Sequence, residues 1–319
     1  MSTVPHVVSV DGAAVAAPYL YRVGPHVPMA TAVDTWQPFT LRTLDASGDQ
    51  VRPGTTADGL DVDRLFPVSG PIEISDVRAG DRVGIGIADI RCAPVGHVWT
   101  RPGLGFGNPG WFDVRELKIQ PPLVLDGAGL ELPYRVHAGT LGVLPAALAP
   151  ARTLGPYGGN VDIPELGPRS MLWVSAAVDG GGVFAGDVHA AIGDAEVCGT
   201  GVETSAELDL VAVRGDWQAV NPAVMTEDKI WLLGIGTTFE DALSVVLPEV
   251  TVALAAELNV PESQAYLLSS LMLDIRPCQV VNPLTSVAVS LRGDLDKCLV
   301  PPQAHRLFHQ FLESTVKGH

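Results

Sequence analysis

Between Gly186 and Glu203 the chain reads GDVHAAIGDAEVCGTGVE, which gathers two aspartates, one histidine and two glutamates among small residues. If GVFAGDVHA (182–190) is a strand, Asp187 and His189 stand two residues apart and share one face. A carboxylate and an imidazole on one face suit zinc or another divalent transition metal. Gly193 and Asp194 are then expected to turn the chain, and EVCGTGVET (196–204) to return as a hairpin partner. That return would bring Glu196 and Glu203 toward the same pocket. Any one of these acids alone reads as ordinary decoration of a turn or strand; the cluster as a whole reads as a site.

A second segment, GPYGGNVDIPEL (155–166), places Asn160 and Asp162 at the same spacing of two behind a Gly-Gly pair. Read from its residues alone it is an ordinary Gly-Gly-Asn turn, with Asp162 as a further ligand or orienting acid the alternative. His305, His309 and Glu313 form a stripe on the last expected helix, but Arg306 stands where HExxH chemistry needs glutamate, so a solvated helix face is expected. GLGFGNPG (103–110) lacks the lysine and the strand-to-helix setting of a phosphate loop, and no GxSxG elbow is present. Cys198 sits amid acids, which disfavour its thiolate, and is a minor nucleophile candidate.

The elements that must carry these residues are short strands. The 34 glycines and 26 prolines punctuate brief apolar runs without forming low-complexity tracts. Residues 1–235 read as mainly β, with strands expected at 39–46, 71–77, 171–178, 182–190, 196–204 and 208–213. In RVGIGIADI (82–90), Val83, Ile85 and Ile87 alternate with Gly84, Gly86 and Ala88, giving one bulky face and one that a neighbour can approach closely. Residues 236–319 read as a helical α+β region packed on the first, or continuous with it. A helix should begin at a Thr237/Glu240 capping box and kink or break at Pro248. A second should start near Pro261 and a third at PQAHRLFHQFLESTV. The expected fold is α+β: a mainly β, sandwich- or barrel-like scaffold with two or three helices near the C-terminus.

A chain of 319 residues buries roughly three quarters of its unfolded surface and needs no disulfides. Its net charge of −16 argues against a nucleic-acid partner, which demands a basic face. Mean hydropathy is +0.26, yet no apolar run reaches the ~18 residues of a spanning helix, so no membrane partner is expected. The N-terminal stretch lacks a basic leader and carries Asp11, which reads as no signal peptide. Cys92, Cys198, Cys278 and Cys298 form no CxxC pair and read as reduced thiols of a cytoplasmic protein.

GGNVDI followed by GDVHAAIGDAEVCGTGVE resembles the acetamidase/formamidase family of amide hydrolases, and the pair of motifs is specific. FTLRTLDASGDQV, FPVSGPIEISDVRAGDRVGIGIADI, HAGTLGVLP and LLSSLMLDIRPCQVVNP extend the likeness over most of the chain. The resemblance implies hydrolysis of a small carboxamide to a carboxylate and ammonia, a divalent metal (zinc foremost) and a homo-oligomer, dimer or higher. It draws Asn160, Asp162, Asp187, His189, Glu196 and Glu203 around that metal. Read together with the residues, Asp187 and His189 are expected as metal ligands with Asp162 or Glu203 completing the set, Glu196 with Asp194 as the catalytic acids that move the proton, and Asn160, Ile192 and Cys198 against substrate. The chain departs from the family pattern at Ile192, where glutamine is expected, at Ala195, and in the N-terminal His-x-x-Trp stretch, where only His26 is found, out of register. Another C–N hydrolase, acting on a urea, a guanidine or a larger amide, and a non-catalytic binding homologue are the alternative readings.

Overall fold

Alternating bulky and small residues in Arg82–Cys92 build the centre of the molecule. In this computed structural model, which describes residues 6–316, Ile85 and Ile87 point into one core while Gly86 faces the opposite way. A Cβ added at Gly86 would lie 2.6 Å from Cε2 of Phe311. The strand thus serves two interfaces at once, as its pattern predicts.

Arg82–Cys92 is the fifth strand of a ten-stranded sheet. Ala13–Ala17, His6–Val10, Pro38–Thr43 and Ala206–Gly215 precede it; Ser170–Ser175, Ala223–Met225, Ile230–Gly236, Thr285–Leu291 and Leu273–Pro277 follow. An eleven-stranded sheet faces it, with Asp113–Gln120, Val95–Thr100, Glu203–Thr204, Gly181–His189, His137–Val143 and Gly158–Asn160 adjacent in that order. The inward faces of the two sheets form the main core, in which Ile85, Ile87, Leu208 and Leu210 meet Leu141, Val143, Val183 and Ala185.

The outer face of the ten-stranded sheet is covered by helices α1 (Phe239–Leu258) and α3 (Pro302–Val316), with Val246, Val250, Phe308 and Phe311 packed on Trp173, Val213 and Leu232. Between them in sequence lies α2 (Glu262–Met272). The protein is therefore mainly β, with its α-helices in the C-terminal part. The ten-stranded sheet runs through the 235/236 position, because Ile230–Gly236 pairs with Thr285–Leu291. Among the described residues no single helix is long and apolar enough to cross a membrane.

Three local expectations are corrected. EVCGTGVET is not a full returning strand: Asp194–Glu196 forms a 3-10 turn and only Glu203–Thr204 pairs with Gly181–His189. Ala195 and Glu196 adopt positive φ (72° and 47°), which ends extended pairing. The α1 helix runs as one element through Pro248, because Pro248 and Ser244, whose carbonyl loses its usual donor, are both exposed to solvent. Its N-cap is Thr238, whose Oγ1 accepts the Asp241 N–H at 3.0 Å, one residue beyond the expected box.

Candidate metal and active site

Antiparallel register lines up three of the chemical residues. His137 pairs with His189, and His189 with Glu203, so the three lie in a row across neighbouring strands on one face. Asp187 arrives from two residues before His189, and Asp162 from just beyond the Gly158–Asn160 strand. Glu196 comes from the 3-10 turn and Gln279 from just after Leu273–Pro277. All of these side chains are buried.

The imidazole of His189 is the hub. Its Nε2 lies 3.0 Å from Glu203 Oε1, 3.5 Å from Asp187 Oδ1 and 3.7 Å from Glu196 Oε1. Its Nδ1 lies 3.1 Å from His137 Nε2 and 4.0 Å from Asp162 Oδ1. Two groups of three, Asp162–His189–Glu196 and Asp187–His189–Glu203, each bring their ligand atoms within 4.8 Å of one another.

Neighbours orient these acids. Thr140 Oγ1 donates to Asn160 Oδ1 (2.6 Å) and lies 3.4 Å from Asp187 Oδ2, while Asn160 Nδ2 donates to Asp162 Oδ2 (3.0 Å). Gln279 Nε2 donates to Asp162 Oδ2 and to Glu196 Oε2 (3.3 Å), and its Oε1 accepts from the backbone N–H groups of Val281 and Asn282. The Gly201 N–H donates to Glu203 Oε1 at 2.9 Å. Asp162, Asp187 and Glu196 all have positive φ (47°, 54° and 47°), so three of the four acids are held in a backbone region their side chains disfavour.

Four buried atoms, Asp162 Oδ1, Asp187 Oδ1, His189 Nε2 and Glu203 Oε2, converge without a hydrogen-bond partner of acceptable geometry. Leaving such atoms unmatched costs free energy, and a cation is the partner their chemistry fits. The space between them is kept open by Gly139, where a Cβ would come 2.6 Å from Asp162 Oδ1 and 2.7 Å from His189 Cε1.

Burial and neighbouring charge shift three of the carboxyls, Asp162, Glu196 and Glu203. Burial pushes Glu196 up to about 8 against the pull of His189, with the Glu203 and Asp187 charges adding to it. Burial likewise pushes Glu203 up to about 8. Asp162 rises well above the ordinary carboxyl range through burial and the Glu196 and Asp187 charges. For His189, burial opposes the proton, but Glu203 and Asp187 outweigh it and raise the imidazole well above its usual value. Burial and His189 hold His137 well below its usual value.

Of the nine residues singled out from the sequence, Asp162, Asp187, His189, Glu196 and Glu203 meet in this cluster, and Asn160 braces it. Three do not enter it. Asp194 is exposed and pairs with Arg276 Nε at 3.3 Å. Cys198 packs its Sγ 3.4 Å from Thr200 O. Ile192 lines a separate apolar cavity. The positive-φ turn that directs Glu196 inward leaves Asp194 and Cys198 aimed elsewhere. His137 and Gln279 are cluster residues that the local pattern does not reveal, although both stand in segments of the family likeness, HAGTLGVLP and RPCQVVNP.

The Acetamidase/Formamidase family model matches residues 11–118 and 124–224. A solved acetamidase from Bacillus halodurans superposes with a TM-score of 0.81 at 25% identity, covering 85% of this chain and 94% of its own. The acetamidase from Yersinia enterocolitica gives 0.80 at 26% identity, covering 89% and 90%. A predicted acetamidase/formamidase from Thermoanaerobacter tengcongensis shares the fold at a TM-score of 0.81 and 24% identity, covering 86% and 92%. No curated protein matches the sequence. With the matched segments spanning most of the chain, and the cluster assembled from the motifs that carry the likeness, this protein belongs to the acetamidase/formamidase family and is a hydrolase of small amides.

Proposed function

We propose that the chain hydrolyses its carboxamide at the His189 cluster with a divalent cation, zinc foremost, held by Asp187, His189 and Glu203, and with Asp162 as a further ligand. The observation that carries this is the meeting of the buried Asp162, Asp187 and Glu203 carboxylates at the His189 imidazole, with one oxygen of each and His189 Nε2 lacking a well-formed hydrogen bond. Such a cation supplies Lewis acidity for the amide carbonyl and lowers the pKa of a water.

The chain's own residues supply the rest. Glu196, whose Oε1 lies 3.7 Å from His189 Nε2, is placed to exchange a proton with a water held beside that imidazole. It takes one from the attacking water and returns it to the departing nitrogen. A C–O bond forms, the C–N bond breaks, and the products are a carboxylate and ammonia. Gln279 holds the other Glu196 oxygen, fixing which one faces the reaction. Asn160 and Thr140 fix the Asp162 and Asp187 carboxylates.

A cytoplasmic location is consistent with four free cysteines. Assembly into homo-oligomers is supported by Leu267 and Leu271, each 71% exposed on α2.

The decisive experiment measures metal content and ammonia release together. Near-stoichiometric metal in the wild type should vanish in His189→Ala. Glu196→Gln should keep the metal and lose about 10²–10⁴-fold in turnover. Metal retained in His189→Ala, or full turnover in Glu196→Gln, would remove the respective assignment.

A further inference from the structure

Four ionic side chains form a chain of pairs, and each stands two or three residues from a member of the His189 cluster. Arg135 precedes His137, Asp194 precedes Glu196, Glu165 follows Asp162 and Arg276 precedes Gln279. Arg135 Nη2 lies 2.8 Å from Glu165 Oε1, and the same oxygen pairs with Arg276 Nη1. Arg276 Nε in turn lies 3.3 Å from Asp194 Oδ1. Arg276 is the anchored member of that last pair. It stands opposite Ala288 in the pairing of Leu273–Pro277 with Thr285–Leu291, and its guanidinium carbon lies 5.0 Å from the centroid of the Trp231 ring. Its side chain is 24% exposed, against 58% for Asp194. Gln279 is held independently: its N–H donates to Ser286 Oγ at 3.0 Å, and its carbonyl accepts the Ser286 N–H at 2.7 Å.

The Glu196 turn needs holding from outside. Ala195 and Glu196 have φ of 72° and 47°, and non-glycine residues keep such a conformation only where the surroundings impose it. After Glu196 the backbone is fastened, because the Gly199 N–H bonds the Glu196 carbonyl at 2.7 Å and the Phe106 N–H bonds the Val197 carbonyl at 2.9 Å. Before Glu196, residues 193 and 194 are exposed, and Asp194 is tied by its pair with Arg276. We propose that Arg276 is a positioning residue: through Asp194 it holds the Glu196 turn inward, so that turnover depends on a guanidinium that itself moves no proton. The inference rests on the hydrolase reading above, with Glu196 as the group that moves the proton. An exposed ion pair contributes little alone, so the loss of Asp194 has the smaller effect. Loss of Arg276 removes the contact with Trp231 and both of its carboxylate pairs at once.

The test measures kcat and KM for acetamide, with metal content and thermal melts, in the wild type, Arg276→Gln, Asp194→Asn, Glu196→Gln and the Arg276→Gln/Glu196→Gln double variant. Arg276→Gln should lose about tenfold in kcat and Asp194→Asn about threefold, with KM and metal content unchanged. In the Glu196→Gln background Arg276→Gln should cost less than about twofold, because a residue that acts through Glu196 then has nothing left to position. A merely structural role would lower kcat by the same factor in both backgrounds. That result, or an unchanged kcat in Arg276→Gln, overturns the inference and leaves the hydrolase reading standing. If Arg276→Gln does not fold, Asp194→Asn carries the same cycle. If Glu196→Gln keeps full turnover, or acetamide is not hydrolysed, the reading of the site fails first, and hydrogen exchange at residues 193–199 decides whether Arg276 holds the turn. Exchange there about tenfold faster in Arg276→Gln, with Gly181–His189 unchanged, supports it, and equal exchange overturns it.

Discussion

At the scale of single residues, the cluster depends on where side chains are missing as much as on where they are present. Gly139 faces Asp162 Oδ1 and His189 Cε1 across a gap that even one methyl would close. Gly139→Ala should therefore lower metal affinity by roughly 10–100-fold, with a modest stability cost of about 1–3 kcal/mol. Metal analysis after dialysis against a weak chelator, run beside a thermal melt, separates the two effects. Full metal retention would show that the gap is not the cation's. The GDVH spacing was legible in the sequence because ligands two apart on a strand must share a face. His137 was not, since its contact with His189 spans 52 residues and exists only through strand register. Gln279 reaches Asp162 across 117 residues. No local periodicity encodes either contact.

At the scale of elements, the Ile/Gly alternation of Arg82–Cys92 predicted a two-faced strand, and Phe311 of α3 occupies the glycine side. Gly86→Ala should push α3 off the sheet and destabilise the protein by about 1–3 kcal/mol. It should leave metal content intact, because the layer it disturbs is on the far side of the sheet from the main core. A denaturant midpoint equal to that of the wild type would mean that α3 yields freely. The 3-10 turn at Asp194–Glu196 was the element least legible beforehand. Its residues pass for a strand continuation, and only two successive positive-φ residues, neither of them glycine, reverse that. The same turn separates the fates of two neighbouring acids, sending Glu196 into the cluster and Asp194 to Arg276 on the surface. Pro248 shows the complementary case, in which a helix breaker is absorbed because the carbonyl it orphans can bond water.

At the scale of the whole molecule, the buried acids couple stability to pH. In the folded, metal-free protein Glu196 and Glu203 hold their protons to about 8, whereas in the unfolded chain they release them near 4.5. Between those values the native state binds more protons, so its stability falls as pH rises through the window. His189 acts with the same sign above 6.5, and His137 with the opposite sign below it. Chelated protein should therefore melt several degrees lower at pH 8 than at pH 6, and the gain in melting temperature on adding zinc should be larger at pH 8. A chelated protein with equal melting points would show that these carboxyls are not shifted. The sheet order behind this arrangement, with Pro38–Thr43 beside Ala206–Gly215, lay beyond the reach of pattern reading, because strands far apart in sequence are paired by the completed core. Gln279 adds a temporal dimension. A growing polypeptide emerges N-terminus first, so the strands bearing Asp187, His189 and Glu203 exist for some time before the amide that joins Asp162 to Glu196 has been synthesised. The cage closes late. The bridge between these two acids is therefore set only after every carboxylate of the cluster has been made.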